Sequence, residues 1–258
     1  MSLKSEILGS CNICKGSGYL PDSSVCSCLL KFRSYNRLIN AGFFRSTLDL
    51  VSGDKYVLPI MESGESFIKY FVKNPSYVEE KGLSLYIWSR DRGRGKTTLE
   101  HYLMYNALSL FSNIDLYASS RTYCFHHIST FYEIFRKGLS NEDWKSTWYV
   151  LDDLGNEDRA GDLDWKKEVM VSSLQRVLHY RRDKKLPTII SSNYSPSDLS
   201  ILYSGELDSL LEIKFDGNLG GLLFREVHVD GEEDLRLMEE ESAWGIVSEE
   251  EKDGNNIS

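Results

Sequence analysis

Apolar and polar positions change period repeatedly between residues 83 and 193. Leu83 to Ser89, "LSLYIWS", is a short apolar run of β-formers and predicts a buried strand. In "TTLEHYLMYNALSLF" the apolar residues Leu99, Leu103, Ala107 and Leu110 recur at helical spacing. "RTYCFHH" predicts a second strand with Cys124 as a core residue, and "STFYEIFRKGL" a helix capped by Ser129. "TWYVLDDLG" is a third strand. "WKKEVMVSSLQRVLHYRRDKK" follows as a long helix, with basic residues gathered at its C-terminal end as the macrodipole prefers. Pro187 then starts a run of β-formers that ends at Asn193. The order β-α-β-α-β-α-β with right-handed crossovers predicts an α/β fold: a parallel sheet between helices, with its ligand site at the carboxyl ends of the strands.

Upstream, "LLKFRSYNRLINAGFF" spaces Leu30, Phe32, Tyr35, Leu38 and Ile39 as one helical face, with Lys31, Arg33 and Arg37 between them and Gly42 at the end. Its basic residues suit an ordinary solvated face, or contact with nucleic acid or an acidic partner. Just before it, Cys11, Cys14, Cys26 and Cys28 fall within eighteen residues. In a reducing compartment two close thiol pairs suit a tetrahedral zinc ion better than disulfides. Gly16 and Gly18 let the chain turn away after the first pair. Four sulfurs leave no open coordination position, so such a zinc is structural.

Charge sharpens the picture at the termini. The chain of 258 residues carries a net charge of -9, yet residues 1–50 hold six Lys/Arg against three Asp/Glu. Residues 226–258 hold two against twelve, so the acidity is largely a tail property, and "SEEEKDGNNIS" reads as a solvated, disordered end. Hydrophobic content of 41% suffices for one large domain with a small appendage. No apolar run reaches the roughly 18 residues of a membrane span, and "MSLKSEILGS" has no apolar leader region. The expectation is a cytoplasmic protein without membrane partners.

The chemistry concentrates at three strand ends. "RGRGKTT" follows the first strand and opens a helix, the context a phosphate-binding loop requires. Backbone N–H groups of Gly93, Arg94 and Gly95 and the helix start with Thr98 would cradle phosphates. Lys96 would reach the β- and γ-phosphates of ATP, and the Thr97 hydroxyl would ligate Mg²⁺. Arg90 stands where the motif has its first glycine, and with Arg92 and Arg94 it makes the loop unusually cationic. The loop survives if Arg90 keeps a negative φ. The third strand ends in Asp152 and Asp153 roughly fifty residues later, the layout of a Walker B strand. Asp152 would join the Mg²⁺ shell and Asp153 would polarise the attacking water, with Asn193 positioning the same water.

Taken in order, "CNICKGSGY…VCSC", "NAGFFRSTLDL", "GRGKTTL", "YVLDDLGNED", "RVLHYRRDKKLPTIISSNYSPSDL" and "VDGEEDLR" resemble the DnaC/DnaI-type AAA+ helicase loaders and the related IstB-type transposition helper ATPases, over roughly residues 10–236. The cysteine knuckle ahead of the ATPase favours the loader branch. The resemblance implies an ATP-controlled, self-associating protein. It would bind the hexameric replicative DNA helicase through its N-terminal region and help place it on single-stranded DNA. It further implies Walker A roles for Lys96 and Thr97, Walker B roles for Asp152 and Asp153, a sensor role for Asn193, and adenine packing near Phe43 and Phe44. It divides the chain into a helicase-binding knuckle and helix (1–42), an AAA+ domain (43–237) and an acidic tail (238–258).

One departure stands out. The family carries a trans-acting arginine finger in a short helix after the sensor, and here no arginine occurs between Arg182 and Arg225. Either Arg225 or another basic residue substitutes, or the finger is missing and hydrolysis is weak. This divergence suggests a phage or mobile-element version. Two other readings compete with the loader. A transposition helper assembling on duplex DNA would need stronger duplex binding than this acidic chain offers. A non-hydrolysing zinc-knuckle interaction module would draw on Arg90 and the absent finger.

Overall fold

The computed structural model describes residues 8–9, 11–52, 62–111, 122–136, 143–156, 164–203 and 224–229. The acidic tail, most of "VDGEEDLR" and residues 204–223 of the arginine-free stretch after Asn193 lie outside the described residues. Four helices come first: α1 (Ser27–Asn40), α2 (Arg45–Ser52), α3 (Glu62–Lys73) and α4 (Pro75–Lys81). Strands and helices then alternate: β1 (Ser84–Trp88), α5 (Lys96–Phe111), β2 (Tyr123–His127), α6 (Ile128–Arg136), β3 (Trp148–Leu154), α7 (Asp164–Asp183), β4 (Thr188–Ser192) and α8 (Pro196–Leu202). A fifth strand, β5 (Phe224–His228), has no counterpart in the pattern analysis.

All five strands are parallel, in the order β2-β3-β4-β1-β5. Both faces are covered, which explains why the strands read as near-continuous apolar runs. Alternate residues serve opposite layers. Leu85, Ile87, Val150 and Ile189 pack with Tyr35, Leu38, Leu99 and Leu103 under the α1–α5 helices. Tyr86, Leu151 and Ile190 pack with Phe131, Leu174 and Leu178 under α6, α7 and α8. The expected α/β sandwich is therefore present, with Cys124 buried in it as anticipated.

One expectation about a helix end needs correction. Ser129 does not cap α6, because the helix already starts at Ile128. The His127 ring takes that role: its Nδ1 accepts the Ser129 N–H at 3.2 Å. Arg181, one of the basic residues gathered at the C-terminal end of the long helix, is fully buried. Its Nε donates to Thr188 Oγ1 at 2.7 Å, Nη1 to the carbonyls of Trp144 and Ser146, and Nη2 to those of Thr147 and Pro187. The guanidinium lies 5.2 Å from the Tyr149 ring centroid. Burial pushes its pKa down to about 9, and the carbonyl dipoles around it hold the charge.

The N-terminal helix is tied to α5 through a histidine. Gly42 ends α1 with φ +97° beneath β2, where the Phe125 N–H donates to Ala41 O at 2.8 Å. The chain then runs over His101. Phe44 N–H donates to His101 Nε2 at 2.9 Å, so the ring proton sits on Nδ1 and is given to Thr97 O at 2.7 Å. Burial outweighs the Thr97 bond and lowers the His101 pKa to about 4.

Two predictions follow from these buried cations and rings. Arg181→Met leaves four carbonyl acceptors without their donor and should cost about 3 kcal/mol or more in urea denaturation, with Arg181→Lys recovering part. His101 stays neutral in the fold but gains a proton in the unfolded chain below about pH 6.5. Its contribution is thus complete above that value and declines as pH falls toward about 4. Urea midpoints measured from pH 7 to pH 4 should fall less steeply in His101→Gln than in the unsubstituted chain.

Candidate nucleotide site and cysteine centre

The loop between β1 and α5 supplies its own curvature. Its left-handed positions fall on Gly93 (φ +76°) and Gly95 (φ +84°), while Arg90 is not among the residues with positive φ. A side chain at residue 90 is therefore compatible with the turn. The Arg90 guanidinium reaches away to Asp198 of α8 at 3.4 Å. Helix α5 starts at Lys96, so its free N–H groups and positive dipole end face the loop. Lys96 Nζ is buried and donates to Asn193 Oδ1 at 2.6 Å and to Asp91 O at 3.3 Å.

β3 and β4 bring the acidic residues to the same place. Thr97 Oγ1 donates to the Asp152 carboxylate, 3.2 Å from both oxygens, and Ser191 Oγ donates to Oδ1 at 2.6 Å. Burial, opposed by these hydroxyls, raises the Asp152 pKa. The β3–β4 register slips between Leu151 and Leu154, and Asp153 adopts φ +67° at that irregularity. Its N–H is satisfied by Ser191 Oγ at 3.1 Å. Its carboxylate accepts from Asn193 Nδ2 at 3.0 Å and from Asn156 Nδ2, and faces His127 Nε2 at 3.5 Å. Since His127 Nδ1 already accepts from Ser129, the proton of the neutral ring sits on Nε2, toward Asp153. Burial would raise the Asp153 carboxyl, but the bonds from His127 and Asn156 and the Lys96 charge hold it below its ordinary value. Adjacent carboxylates are thereby pushed in opposite directions.

These groups open onto one cavity of about 400 Å³, a size suited to a small organic ligand. Gly93, Arg94, Gly95, Lys96, Thr97 and Thr98 line one wall, and Asp152, Asp153 and Asn193 the other. Phe44 and Thr47 also line the cavity. Phe44 is 47% exposed and stacks on His101 with centroids 5.6 Å apart. Phe43, expected beside it as a second packing surface, is a core residue instead. Arg225 pairs with Leu85 near the amino ends of the strands, away from the loop, and its side chain lies outside the described residues.

Pattern analysis missed His127, Asn156 and Glu100. Glu100 is fully buried one turn past Thr97, and among the described residues neither oxygen is within hydrogen-bonding geometry of a partner. Burial first, and the Asp152 charge second, push its carboxyl well above the usual range, so the neutral acid is favoured. The available signal was its place between Leu99 and Leu103 on an otherwise apolar helix face.

The four N-terminal cysteines converge. All their Sγ atoms lie within 4.8 Å of one another, with Cys11 and Cys26 at 3.8 Å and Cys14 and Cys28 at 3.3 Å. A tetrahedral zinc with sulfurs about 2.3 Å away spaces them about 3.8 Å apart, so the donor set fits that ion. Gly16 (φ +87°) and Gly18 (φ +80°) shape the turn, and Gly18 N–H donates to Cys14 Sγ at 3.2 Å. Burial would raise the Cys14 thiol, but hydrogen bonds from Cys28 and Gly18 outweigh it and hold the group at about 6, toward the metal-binding thiolate. A second group, Cys124, His126 and Asp143, is also close-set. Burial raises the Cys124 thiol to about 12, and His126 Nδ1 is engaged by Tyr149 OH at 3.2 Å, so it reads as polar packing.

No family model matches the chain, and no curated protein does. Solved structures do. The DnaC helicase loader is 19% identical with a TM-score of 0.51, covering 72% of this chain and 100% of that chain. DnaI is 18% identical with a TM-score of 0.51, covering 73% of this chain and 92% of that chain. A primosome component from Streptococcus pyogenes serotype M3 is 24% identical, covering 66% and 79% of the two chains, with a TM-score of 0.47. Among the described residues no helix is long and apolar enough to cross a membrane. With its five-stranded parallel sheet and the glycine-bearing loop that opens α5, the chain shares the fold of the DnaC and DnaI helicase-loader structures.

Proposed function

We propose that this protein is an ATP-binding AAA+ helicase loader: it engages a hexameric replicative DNA helicase and helps deposit it on single-stranded DNA. The observation that carries this reading is the convergence of Lys96, Thr97, Asp152, Asp153 and Asn193 on one cavity within a loader-type fold. The loop amides and Lys96 bind phosphate oxygens, and Phe44 offers a ring for the base. Thr97 and Asp152 would hold Mg²⁺, which would neutralise phosphate charge. Asp153, kept anionic by its neighbours, accepts a hydrogen bond from the attacking water, and Asn193 orients it. Arg225, as a trans finger for a neighbouring copy, remains part of the proposal.

The cysteine centre would hold a structural zinc and stiffen a knuckle whose exposed Ile13 (68%) and Tyr19 (46%) form its partner-facing surface. This assigns helicase contact to residues 1–42. Deleting that whole segment would remove Tyr35 and Leu38 from the core, so point variants are the sound test.

Native mass spectrometry should find one zinc per chain. Chelation, or Cys11→Ser with Cys26→Ser, should lower the melting temperature by several degrees. A chain that carries no metal and is indifferent to chelator would remove zinc from the proposal. For the loader reading itself, mass photometry with the cognate replicative helicase should detect a discrete complex that responds to ATP and is lost in Ile13→Asp. Absence of any complex, with and without ATP, would overturn it; ATP-dependent filaments on duplex DNA would point to the transposition helper instead.

A further inference from the structure

The phosphate loop carries three arginines, and their surroundings differ. Arg90 is turned to Asp198 at 3.4 Å, and Arg94 to Asp91 at 3.1 Å. Arg92 is exposed and, among the described residues, makes no ion pair or hydrogen bond. It stands on the wall between two cavities. One is the 400 Å³ pocket with Lys96, Thr97 and both aspartates. The other is an open recess of about 580 Å³ lined by Arg90, Tyr194, Asp198 and Ile201. Asn156 and Asn193, which hold Asp153, border both cavities. Arg92 therefore lines the same two cavities as Asn156 and Asn193, the residues bonded to Asp153. Lys96 is already engaged by Asn193 and a backbone carbonyl. A triphosphate brings more negative charge to the pocket than one lysine meets.

We propose that Arg92 is a terminal-phosphate ligand acting in cis: its guanidinium folds from the wall onto the γ-phosphate of nucleotide held by the same chain. The inference rests on the nucleotide-site reading given above. A guanidinium is permanently charged and matches phosphate oxygens with paired donors. With no ion pair among the described residues, Arg92 gives up none of them in order to reach the ligand. The placement also bears on the arginine missing between Arg182 and Arg225. A cation belonging to the loop meets the same electrostatic need without a neighbouring copy. It makes the site discriminate a triphosphate from a diphosphate within one chain.

The test is a pair of binding measurements by isothermal calorimetry with Mg²⁺, using the full chain at concentrations where mass photometry shows a monomer. The probes are the β,γ-methylene analogue of ATP, and ADP. Arg92→Ala should weaken the triphosphate analogue roughly ten- to a hundredfold and change ADP by less than about twofold. Arg92→Lys should fall between, and Arg90→Ala, whose guanidinium points to Asp198, should keep the original ratio. Equal loss for both ligands, no loss, the same loss in Arg90→Ala, or a loss seen only where the chain self-associates would overturn the cis assignment. If the unsubstituted chain binds neither probe, it is the nucleotide-site reading that fails, and the inference falls with it.

Discussion

The site hangs on one buried carboxylate. Asp152 belongs to β3, yet its oxygens take the hydroxyl of Thr97 from the start of α5 and that of Ser191 from β4. The helix that carries Lys96 and two neighbouring strands are thus registered against a single group. Burying a carboxylate is costly, and its raised pKa records that cost; the two hydroxyl donors offset part of it. The next residue could not share this environment without strong like-charge repulsion. The backbone separates them. At φ +67° Asp153 leaves the strand pleat, at a cost of order 1 kcal/mol for a residue with a Cβ, and its side chain swings toward His127, Asn156 and Asn193. Ser191 serves both aspartates, donating its hydroxyl to one and accepting the backbone N–H of the other.

What the sequence disclosed follows from where its information is local. Four strands, their helices and the loop residues 93–98 were legible because each is a contiguous run with its own period or glycine spacing. Both aspartates and Asn193 were legible because they end apolar runs. The cysteine centre was legible from spacing alone. The misses are residues whose role is fixed by neighbours distant in sequence. Arg181 has the position of a solvated helix-end cation, but four of its five acceptors are carbonyls of strand-entry loops that only the fold brings to it. His127 looks like the end of a strand, and becomes both a helix cap and a carboxylate partner because β2 lies beside β3. β5 is short and set apart from the alternating pattern, so no periodic signal announces it. Phe43 and Phe44 are chemically identical, and which one faces the cavity depends on the angle at which the chain leaves Gly42.

The N-terminal elements are not a loose appendage. Cys28 and Leu29, in the first turn of α1, belong to the knuckle's apolar cluster, while Tyr35 and Leu38 of the same helix belong to the core beneath the sheet. From the end of α1 the chain is pinned to β2 by Phe125 and to α5 by His101, whose other nitrogen bonds the carbonyl of Thr97. A contiguous set of contacts therefore runs from the cysteine centre to the residue that anchors Asp152. Contiguity becomes coupling only where an element has two arrangements that two ligands bias differently. The Phe44 ring is the part of this path best suited to that role, being half-exposed, stacked on His101 and open to the cavity.

Arg90 stands where the phosphate-loop motif has its first glycine. Glycine is required where φ is positive, and in this loop those positions are Gly93 and Gly95. At residue 90 the backbone imposes no such demand, so a side chain is tolerated provided it leaves the phosphate pocket. It does so by pairing with Asp198, the third residue of α8, which the Ser195 hydroxyl already holds in a reciprocal cap. The pair is exposed and contributes little stability. Its consequence is positional: α8 follows Asn193 directly, so the ion pair ties the entry of the phosphate loop to the strand end that holds Lys96. The departure from the motif thus takes away backbone freedom at a point where the turn does not need it, and adds a link between two walls of the same site.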